Sequence, residues 1–323
     1  MRHCFGRSAK TVLALGVLMA AMLAQATGFI VAAKREGGII NLHRMNLDGS
    51  GETALTSFGT DAYGPSISPD GSKIAFNSSH TGSSQLFVMN SDGSGMQQVT
   101  TGSMDSLFPS WSPDGAHLLF QRGIGADLDL FTMDAAGTNV VNITNTPGTL
   151  EANADWSRST GQIAFTRGHN GSGDVWKMAG DGSGQVQLTS GGWDEWAPKW
   201  APDGSQLAFH ALAGGSNWKG WTMGADGSNQ HVFTQLLGAH AYPAYWATDR
   251  VLLNATTSGI NPEGLFWLNP DGTNRQLIHE GLYVGATASP VPEPMTLVTL
   301  GSLVLAAGIR RTRSRKLAGG RVG

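Results

Sequence analysis

Hydrophobic and polar positions along the chain follow one phrase that recurs at a nearly constant interval. The clearest copy, PSWSPDGAHLLF, starts at Pro109, and related phrases start at Pro65, Ala154, Pro198 and Pro243, with starts 44 or 45 residues apart. Each copy continues into a strand with an aromatic residue, a glycine turn and a short strand that ends at or near threonine. A repeat of about 40–45 residues with four strands is typical of one blade of a β-propeller.

The apolar positions within one repeat indicate strands that are covered on both sides. Leu118 and Phe120 lie on one face of a strand and Leu119 on the other. A blade packed between two neighbouring blades buries both faces. Glycine supplies the positive φ of the tight turns, and aspartate can bond its own turn backbone. The turns are Asp48-Gly49, Asp92-Gly93, Ala136-Gly137, Asp181-Gly182, Asp226-Gly227 and Asp271-Gly272.

The number of repeats predicts an all-β, six-bladed propeller of four-stranded antiparallel blades over residues 27–290. Five units are whole, whereas the first unit lacks the strand that carries the PxWSPDG phrase. We expect the missing strand to come from the C-terminal side, within 282–290, because strands from both chain ends then close the last open edge. The repeats lie near 30–56, 65–100, 109–144, 154–189, 198–234 and 243–278.

The first 26 residues have the pattern of a secretory signal peptide. Arg2, Arg7 and Lys10 give a basic start, an apolar run follows over 11–23, and Ala24-Gln25-Ala26 is a small-x-small cleavage site. The alternative is a retained membrane anchor, for which the apolar run is short. Cys4 is the only cysteine, so the processed protein is predicted to have no disulfide.

The C-terminal segment 291–316 has the pattern of a transmembrane sorting helix, followed by a tail at 317–323. An apolar stretch over 295–309 follows Pro292, Glu293 and Pro294 and precedes a basic cluster that includes Arg310, Arg311 and Arg313. A basic cluster after an apolar segment stays on the inner side of a membrane. The stretch spans roughly 22 Å against a bilayer core of about 30 Å, which favours a processed signal over a permanent anchor.

Charge becomes strongly acidic once both ends are set aside. The chain has 21 basic and 24 acidic residues, but residues 27–294 hold 12 basic and all 24 acidic ones, a net charge of −12. Such a surface disfavours nucleic acids and strongly anionic polymers, since both are bound by lysine and arginine. It suits an extracellular protein with weak cation binding.

The repeated phrase P-x-W-S-P-D-G, followed by an M-x-x-D-G-(S/T) turn, resembles the WD40-like repeat (PD40) of TolB-like six-bladed propellers over about 30–290. The end of the chain, VPEPMTLVTLGSLVLAAGIRRTRSRK, resembles a PEP-CTERM protein-sorting signal. This second resemblance implies a Gram-negative bacterium that makes exopolysaccharide. It also implies an exosortase in the inner membrane that removes the tail near Pro292 to Pro294, and delivery to the cell surface or extracellular matrix.

Enzymatic motifs are missing from the sequence. It has no GxSxG, no GxxxxGK(S/T), no HExxH, no CxxC and no DxDxDG loop. The nine histidines are scattered, and scattered histidines are more often packing or surface residues than ligands. We therefore predict no catalytic residues and no required cofactor.

Acidic residues three or four positions before the repeat starts are candidates for a weak metal site. Asp61, Asp105, Glu151 and Asp194 could ring one mouth of the central channel and hold a hard cation such as calcium. The favoured alternative is that each carboxylate accepts hydrogen bonds from its own loop backbone.

Aromatic residues in loops outside the repeat phrase are the other candidate site. Trp193, Trp196 and Trp218 lie in loops that we expect on the same face, with Asp194 and Glu195 between the first two, and Tyr242 is a candidate extension of this patch. Exposed aromatic rings with polar neighbours suit sugar rings or the side chains of a protein partner. The alternative is that this loop folds down and packs on adjacent blades.

These observations favour a non-catalytic binding module that recognises a surface polysaccharide or protein. Signal peptidase and exosortase are its expected processing partners, and the C-terminal segment gives transient membrane contact. A purely structural matrix protein is the alternative. A polysaccharide lyase, an activity implied by some TolB-like propellers, ranks third.

Overall fold

A computed structural model describes residues 28–124, 127–168, 172–212, 218–233, 240–246, 250–256 and 264–289. These residues form an all-β propeller, and none of them lies in a helix. The described strands make four separate four-stranded sheets and one eight-stranded sheet. The predicted signal peptide and C-terminal sorting signal lie outside the described residues.

Strands follow the repeats along the chain, and within each repeat consecutive strands pair antiparallel. The first sheet contains β1 (Phe29–Glu36), β2 (Ile39–Asn46), β3 (Thr53–Ala54) and β24 (Tyr283–Ala288). The second contains β4 (Ala62–Ile67), β5 (Lys73–Ser78), β6 (Gln85–Asn90) and β7 (Gln97–Gln98).

The remaining repeats form the other three sheets. The eight-stranded sheet contains β8 (Asp105–Trp111), β9 (His117–Ile124), β10 (Asp127–Asp134), β11 (Val141–Asn142), β12 (Leu150–Trp156), β13 (Ile163–Gly168), β14 (Asp174–Met178) and β15 (Val186–Gln187). The next contains β16 (Asp194–Trp200), β17 (Gln206–Leu212), β18 (Lys219–Gly224) and β19 (His231–Val232). The last contains β20 (His240–Trp246), β21 (Val251–Thr256), β22 (Gly264–Leu268) and β23 (Gln276–Glu280).

The first sheet is completed by a strand from the C-terminal side, as the repeat count predicts. Strand β24 pairs antiparallel with β1, from Ile30 opposite Ala288 to Lys34 opposite Tyr283. The last repeat also packs on the first sheet, through a buried cluster that includes Leu252, Trp267 and Met45. The two ends of the described chain therefore close one ring.

Both faces of the inner strands are buried, as expected. Leu118, Leu119 and Phe120 are all fully buried, and separate hydrophobic clusters fill the spaces on the two sides of β9. The fourth strand is different, because it is only two residues long and Val141 in β11 is 54% exposed. This residue is exposed because the short outer strand β11 has no second neighbour among the described strands.

A glycine turn of each repeat lies against the end of the preceding repeat. Gly137 has φ +88°, and a Cβ added to it would lie 2.3 Å from the backbone oxygen of Val99. Gly93 has almost the same φ, +89°, but the nearest atom to its added Cβ would be the side-chain tip of Leu55 at 3.3 Å, and the Leu55 backbone oxygen would lie at an ordinary 3.6 Å. The positive φ thus allows the turn, and the missing side chain allows the neighbouring backbone to approach.

We expect Gly137→Ala to destabilise the protein more than Gly93→Ala. Both variants strain a left-handed backbone at a cost of about 1 kcal/mol, and only the first drives a methyl group into a backbone oxygen, for a total of about 2–3 kcal/mol. Urea unfolding of the two variants measures the difference. Equal losses would show that backbone strain alone sets the cost.

In three repeats the first strand is bent by a bulge that the preceding repeat holds in place. Register shifts occur in β8, β12 and β16, at residues with positive φ such as Phe108 (+52°) and Ala197 (+51°). The N–H of Phe108 donates to Asn77 Oδ1, that of Asn153 to Gln121 Oε1, and that of Ala197 to Thr166 Oγ1. These inter-repeat hydrogen bonds fix how each first strand enters the ring.

Candidate functional site

The three tryptophans of the predicted patch gather at one end of the sheet β16–β19. The rings of Trp193 and Trp221 lie 5.0 Å apart, and Trp218 meets His210 edge-on at 5.1 Å. His210 is the cross-strand partner of Trp196. We call this end of the sheet, with Trp193, Trp196 and Trp218, the tryptophan end. Tyr242 lies in β20, but its side chain is outside the described residues.

The tryptophan end uses both faces of its sheet, so the predicted patch is not one continuous platform. Phe209 and Trp221 belong to the face that packs on the Ala154 repeat, and Trp193 lies on Trp221. His210 follows Phe209 in the strand and points to the opposite face, as does its partner Trp196. Trp193 therefore packs against Trp221, on the other face from Trp196, and all three tryptophans are half-buried.

Trp196 is held in place by a carboxylate that also joins two repeats. Its indole N–H donates to Asp194 Oδ1 at 2.6 Å, and the backbone N–H of Gly173 donates to the same oxygen at 2.9 Å. The N–H of Glu195 donates back to the Gly173 carbonyl at 2.8 Å. The tryptophan ring is thus positioned by hydrogen bonds between β16 and Gly173, the residue directly before β14.

Three of the four acidic residues proposed as a metal ring accept backbone hydrogen bonds from the preceding repeat. Asp61 Oδ1 accepts the N–H of Ile40, and Asp105 Oδ1 accepts the N–H of Ser84, both at 2.8 Å. Asp194 does the same for Gly173. Each donor lies 21 residues earlier, in the preceding repeat, and not in the carboxylate's own loop as expected. Within the described ranges, no three His, Cys, Asp or Glu side chains are placed to share a metal ion.

Glu151, the fourth residue of that proposed ring, is a buried glutamate with an arginine partner. It is fully buried, and Arg167 Nε donates to its Oε1 at 2.9 Å. Burial raises the pKa of Glu151 to about 7, although the charge of Arg167 acts in the opposite direction. The pair is therefore a structural contact between β12 and β13.

Glu195 is a second buried glutamate, at the same position of the next repeat, and it has no such partner. Only 1% of its surface is exposed, and the Thr189 hydroxyl donates to its Oε2 at 3.4 Å. Burial raises the pKa of Glu195 to about 7, and the nearby carboxylates of Asp174 and Asp194 act in the same direction. Burial also raises the pKa of Asp174. Negative charge is thus concentrated beside the tryptophan end.

Comparison with known proteins agrees with this architecture. The PD40 family, described as the TolB beta propeller domain, matches residues 16–124 and 50–250. The chain belongs to the PD40 family. Among curated proteins, none matches the sequence.

Solved structures that resemble this PD40 propeller include proteins with different activities. TolB from Acinetobacter baumannii is 21% identical, with a TM-score of 0.72, covering 82% of this chain and 67% of its own. Kuenenia stuttgartiensis hydrazine synthase is 15% identical, with a TM-score of 0.69, covering 82% and 47%. An oligogalacturonate lyase in complex with manganese is 13% identical, with a TM-score of 0.55, covering 75% and 71%. At these identities the likeness shows the fold.

Two features of the PD40 propeller were missed from the sequence. His210 is buried, and burial lowers its pKa to about 3, so its ring is neutral near pH 7. Arg122 and Arg167 each lie near the end of a second strand, β9 or β13, and over aromatic rings. Aligning the repeats would have revealed them, because polar residues occupy one column, at Asn77, Gln121, Thr166 and His210, and arginine occupies the next column in two of the four repeats.

The described part of the PD40 propeller contains no helix with the length and hydropathy to cross a membrane. The sorting-signal residues Pro292, Glu293, Pro294, Arg310, Arg311 and Arg313 lie outside the described residues.

Proposed function

We propose that this PD40 propeller is an exported, non-catalytic binding module that recognises a surface polysaccharide or protein through its tryptophan end. The observation that carries the proposal is the pair of half-buried rings of Trp196 and Trp218, which lie at a loop-bearing end of the sheet with hydrogen-bonding groups beside them. Aromatic rings with fixed orientation and polar neighbours give contact area at little conformational cost.

The proposal predicts that Trp196→Ala lowers binding to the partner by about tenfold or more, since a central aromatic contact contributes at least about 1.4 kcal/mol. Binding is measured by titrating residues 27–290 with exopolysaccharide purified from the source cells, and in parallel with cell-surface proteins from those cells. Trp196→Phe, which keeps most of the ring but loses the N–H bond to Asp194, should lie between.

Trp156 offers a matched control for this experiment. Trp156 is also half-buried, and its indole N–H donates to the Gly161 carbonyl at 3.0 Å. It is the last residue of β12, the first strand of its repeat, whereas Trp196 lies near the start of the equivalent strand β16. Trp156→Ala should reduce stability and leave binding unchanged. A similar loss of binding in both variants, or an unchanged affinity of Trp196→Ala for both kinds of partner, would contradict the proposal.

We also infer that the ring has six blades. The eight-stranded sheet then counts as two adjacent blades, because its halves β8–β11 and β12–β15 are joined by a single parallel pair, Leu128 with Leu150. The proposal is supported by the hydrophobic cluster that fills the space between these halves, which includes Leu119, Leu130 and Phe165. A crystal structure would test the count.

Export and sorting are the remaining parts of the proposal. The basic start, apolar run and small-residue site support removal of residues 1–26, and Pro292-Glu293-Pro294 with the following apolar and basic segments supports removal of the tail. The intact mass of the protein recovered from the cell surface tests both cuts. A surface form that retains both ends would overturn the sorting proposal without affecting the binding proposal.

The alternatives are a purely structural matrix protein and, less favoured, a polysaccharide lyase. The lyase alternative has the support of the structural likeness to oligogalacturonate lyase. Incubation with oligogalacturonate and manganese, followed by ultraviolet absorbance of unsaturated products, separates it from a binding module. We expect no turnover.

A further inference from the structure

Two neighbouring spaces between repeats are each filled by an arginine that lies over an aromatic floor. Arg167 Cζ lies 4.6 Å from the Trp176 ring and 5.3 Å from the Phe165 ring, while its Nε donates to buried Glu151. Arg122 Cζ lies 5.0 Å from the Phe120 ring in the preceding repeat. A guanidinium group therefore fits this position of the fold, stacked on aromatic rings.

The Pro198 repeat has the same acid and the same aromatic floor but no arginine. Glu195 occupies the position of Glu151. The cross-strand partner of Glu151 is Arg167, whereas the cross-strand partner of Glu195 is Ala211. The floor consists of Phe209 opposite Trp221, as Phe165 lies opposite Trp176. We call the space formed by Glu195, Ala211, Phe209 and Trp221 the Glu195 cleft.

Glu195 has no cationic partner among the described residues. Only 1% of its surface is exposed to water, and the hydroxyl of Thr189 donates a long hydrogen bond of 3.4 Å to it. Its charged neighbours are the carboxylates of Asp174 and Asp194. A buried carboxylate surrounded in this way is costly unless a positive charge approaches it. The cleft therefore has the charge complementary to a cation.

Trp193 lies on the aromatic floor of the Glu195 cleft. In the neighbouring repeat the guanidinium of Arg167 takes the equivalent place, over Trp176. Its ring contacts Trp221 at 5.0 Å with a tilt of 44°, and an indole cannot neutralise Glu195. The residue is preceded by Gly191 and Gly192, both exposed, and Gly192 has φ +69° with no heavy atom within 4 Å of an added Cβ. This glycine pair lets Trp193 turn away without moving strand β16.

We propose that the Glu195 cleft binds an arginine side chain of a protein partner, with Trp193 moving aside to admit it. The incoming guanidinium would stack on Phe209 and Trp221 and donate to Glu195, as Arg167 does within the chain. Arginine is favoured over lysine because its planar group both stacks and donates in a fork. This proposal rests on the proposed function, since it names the chemistry of a partner that approaches the tryptophan end.

The test uses the peptide acetyl-Gly-Gly-Arg-Gly-Gly-amide and the same peptide with citrulline, which has the shape of arginine without its charge. Calorimetric titration of residues 27–290 should give a Kd of about 1 mM or tighter for the arginine peptide and about tenfold weaker binding of the citrulline peptide. Glu195→Gln should weaken arginine binding by about tenfold. Trp193→Ala should strengthen it, because the competing ring is removed.

Glu151→Gln is the matched control, since the cleft beside Glu151 is already filled by Arg167. It should leave peptide affinity unchanged. Ala211→Arg is a second variant that fills the Glu195 cleft from within, so it should abolish peptide binding while keeping or raising the melting temperature. Melting curves of all variants confirm that each is folded.

Three results would overturn the proposal: equal affinity for the two peptides, equal loss in Glu195→Gln and Glu151→Gln, or weaker binding in Trp193→Ala. A failure here remains separate from a failure of the proposed function. If the arginine peptide does not bind but Trp196→Ala still loses the surface polymer, the tryptophan end is a binding site and only the arginine cleft is disproved.

Discussion

Arg167→Ala is expected to lower the free energy of unfolding by about 3–5 kcal/mol near pH 8, because it leaves a buried carboxylate without its partner. Glu151 is fully buried, and its Oε2 has no hydrogen-bond partner in the described residues, so the bond from Arg167 Nε to Oε1 carries most of its compensation. The variant also loses the contact of the guanidinium with Trp176. Urea unfolding followed by tryptophan fluorescence measures the loss.

Arg122→Ala is the control for the packing part of this effect. Arg122 stacks on Phe120 as Arg167 stacks on Phe165, but its Nε donates to the hydroxyl of Ser106 at 3.0 Å and not to a carboxylate. Its removal leaves no buried charge, so we expect a loss of about 1–2 kcal/mol. Equal losses in the two variants would mean that stacking, and not the charge of Glu151, determines the cost.

The loss in Arg167→Ala should also depend on pH. Without Arg167, Glu151 avoids an uncompensated charge by taking up a proton, which is easier in acid. The difference in stability between the variant and the wild-type protein should therefore shrink at about pH 5. If the loss of stability is the same at both pH values, the charge of Glu151 does not determine the cost of removing Arg167.

Features that depend on local sequence were predictable. The strand alternation in LLF and the aspartate–glycine turns act over a few residues, and the structure shows Asp92 Oδ1 accepting the N–H of Ser94 as such a turn requires. The closing strand β24 was predicted from the count of strands alone, because an unpaired edge on the first sheet needs a partner. Its own sequence resembles the repeat phrase poorly.

Features that depend on contact between repeats were not predictable in the same way. Nothing in the sequence near Asp105 shows that its acceptor oxygen serves Ser84, 21 residues earlier. The direction in which Trp193 folds is likewise decided by Trp221, in a different strand. The sequence shows alanine and not arginine at position 211, but only the structure of the neighbouring repeat shows that an arginine at this position pairs with a buried glutamate.

Glu195→Gln is expected to stabilise the protein above neutral pH. Burial and the neighbouring carboxylates raise the pKa of Glu195 from its ordinary value of 4.5 to about 7. Between these two pH values the folded protein holds a proton that the unfolded chain releases, so folding becomes less favourable as pH rises. The stability linked to this proton is complete below about pH 4.5 and lost above about pH 7, and it amounts to about 3 kcal/mol.

Glutamine keeps the shape of the side chain and has no charge to bury, so it removes this cost. The variant should resemble the wild-type protein near pH 5 and exceed it by about 2–3 kcal/mol near pH 8. Urea unfolding at both pH values measures the gain, and Glu280→Gln, at an exposed position in β23, controls for loss of a charge at the surface. A gain of the same size at both pH values would show that Glu195 does not titrate between them. No gain at pH 8 would show that a cation or water already compensates its charge.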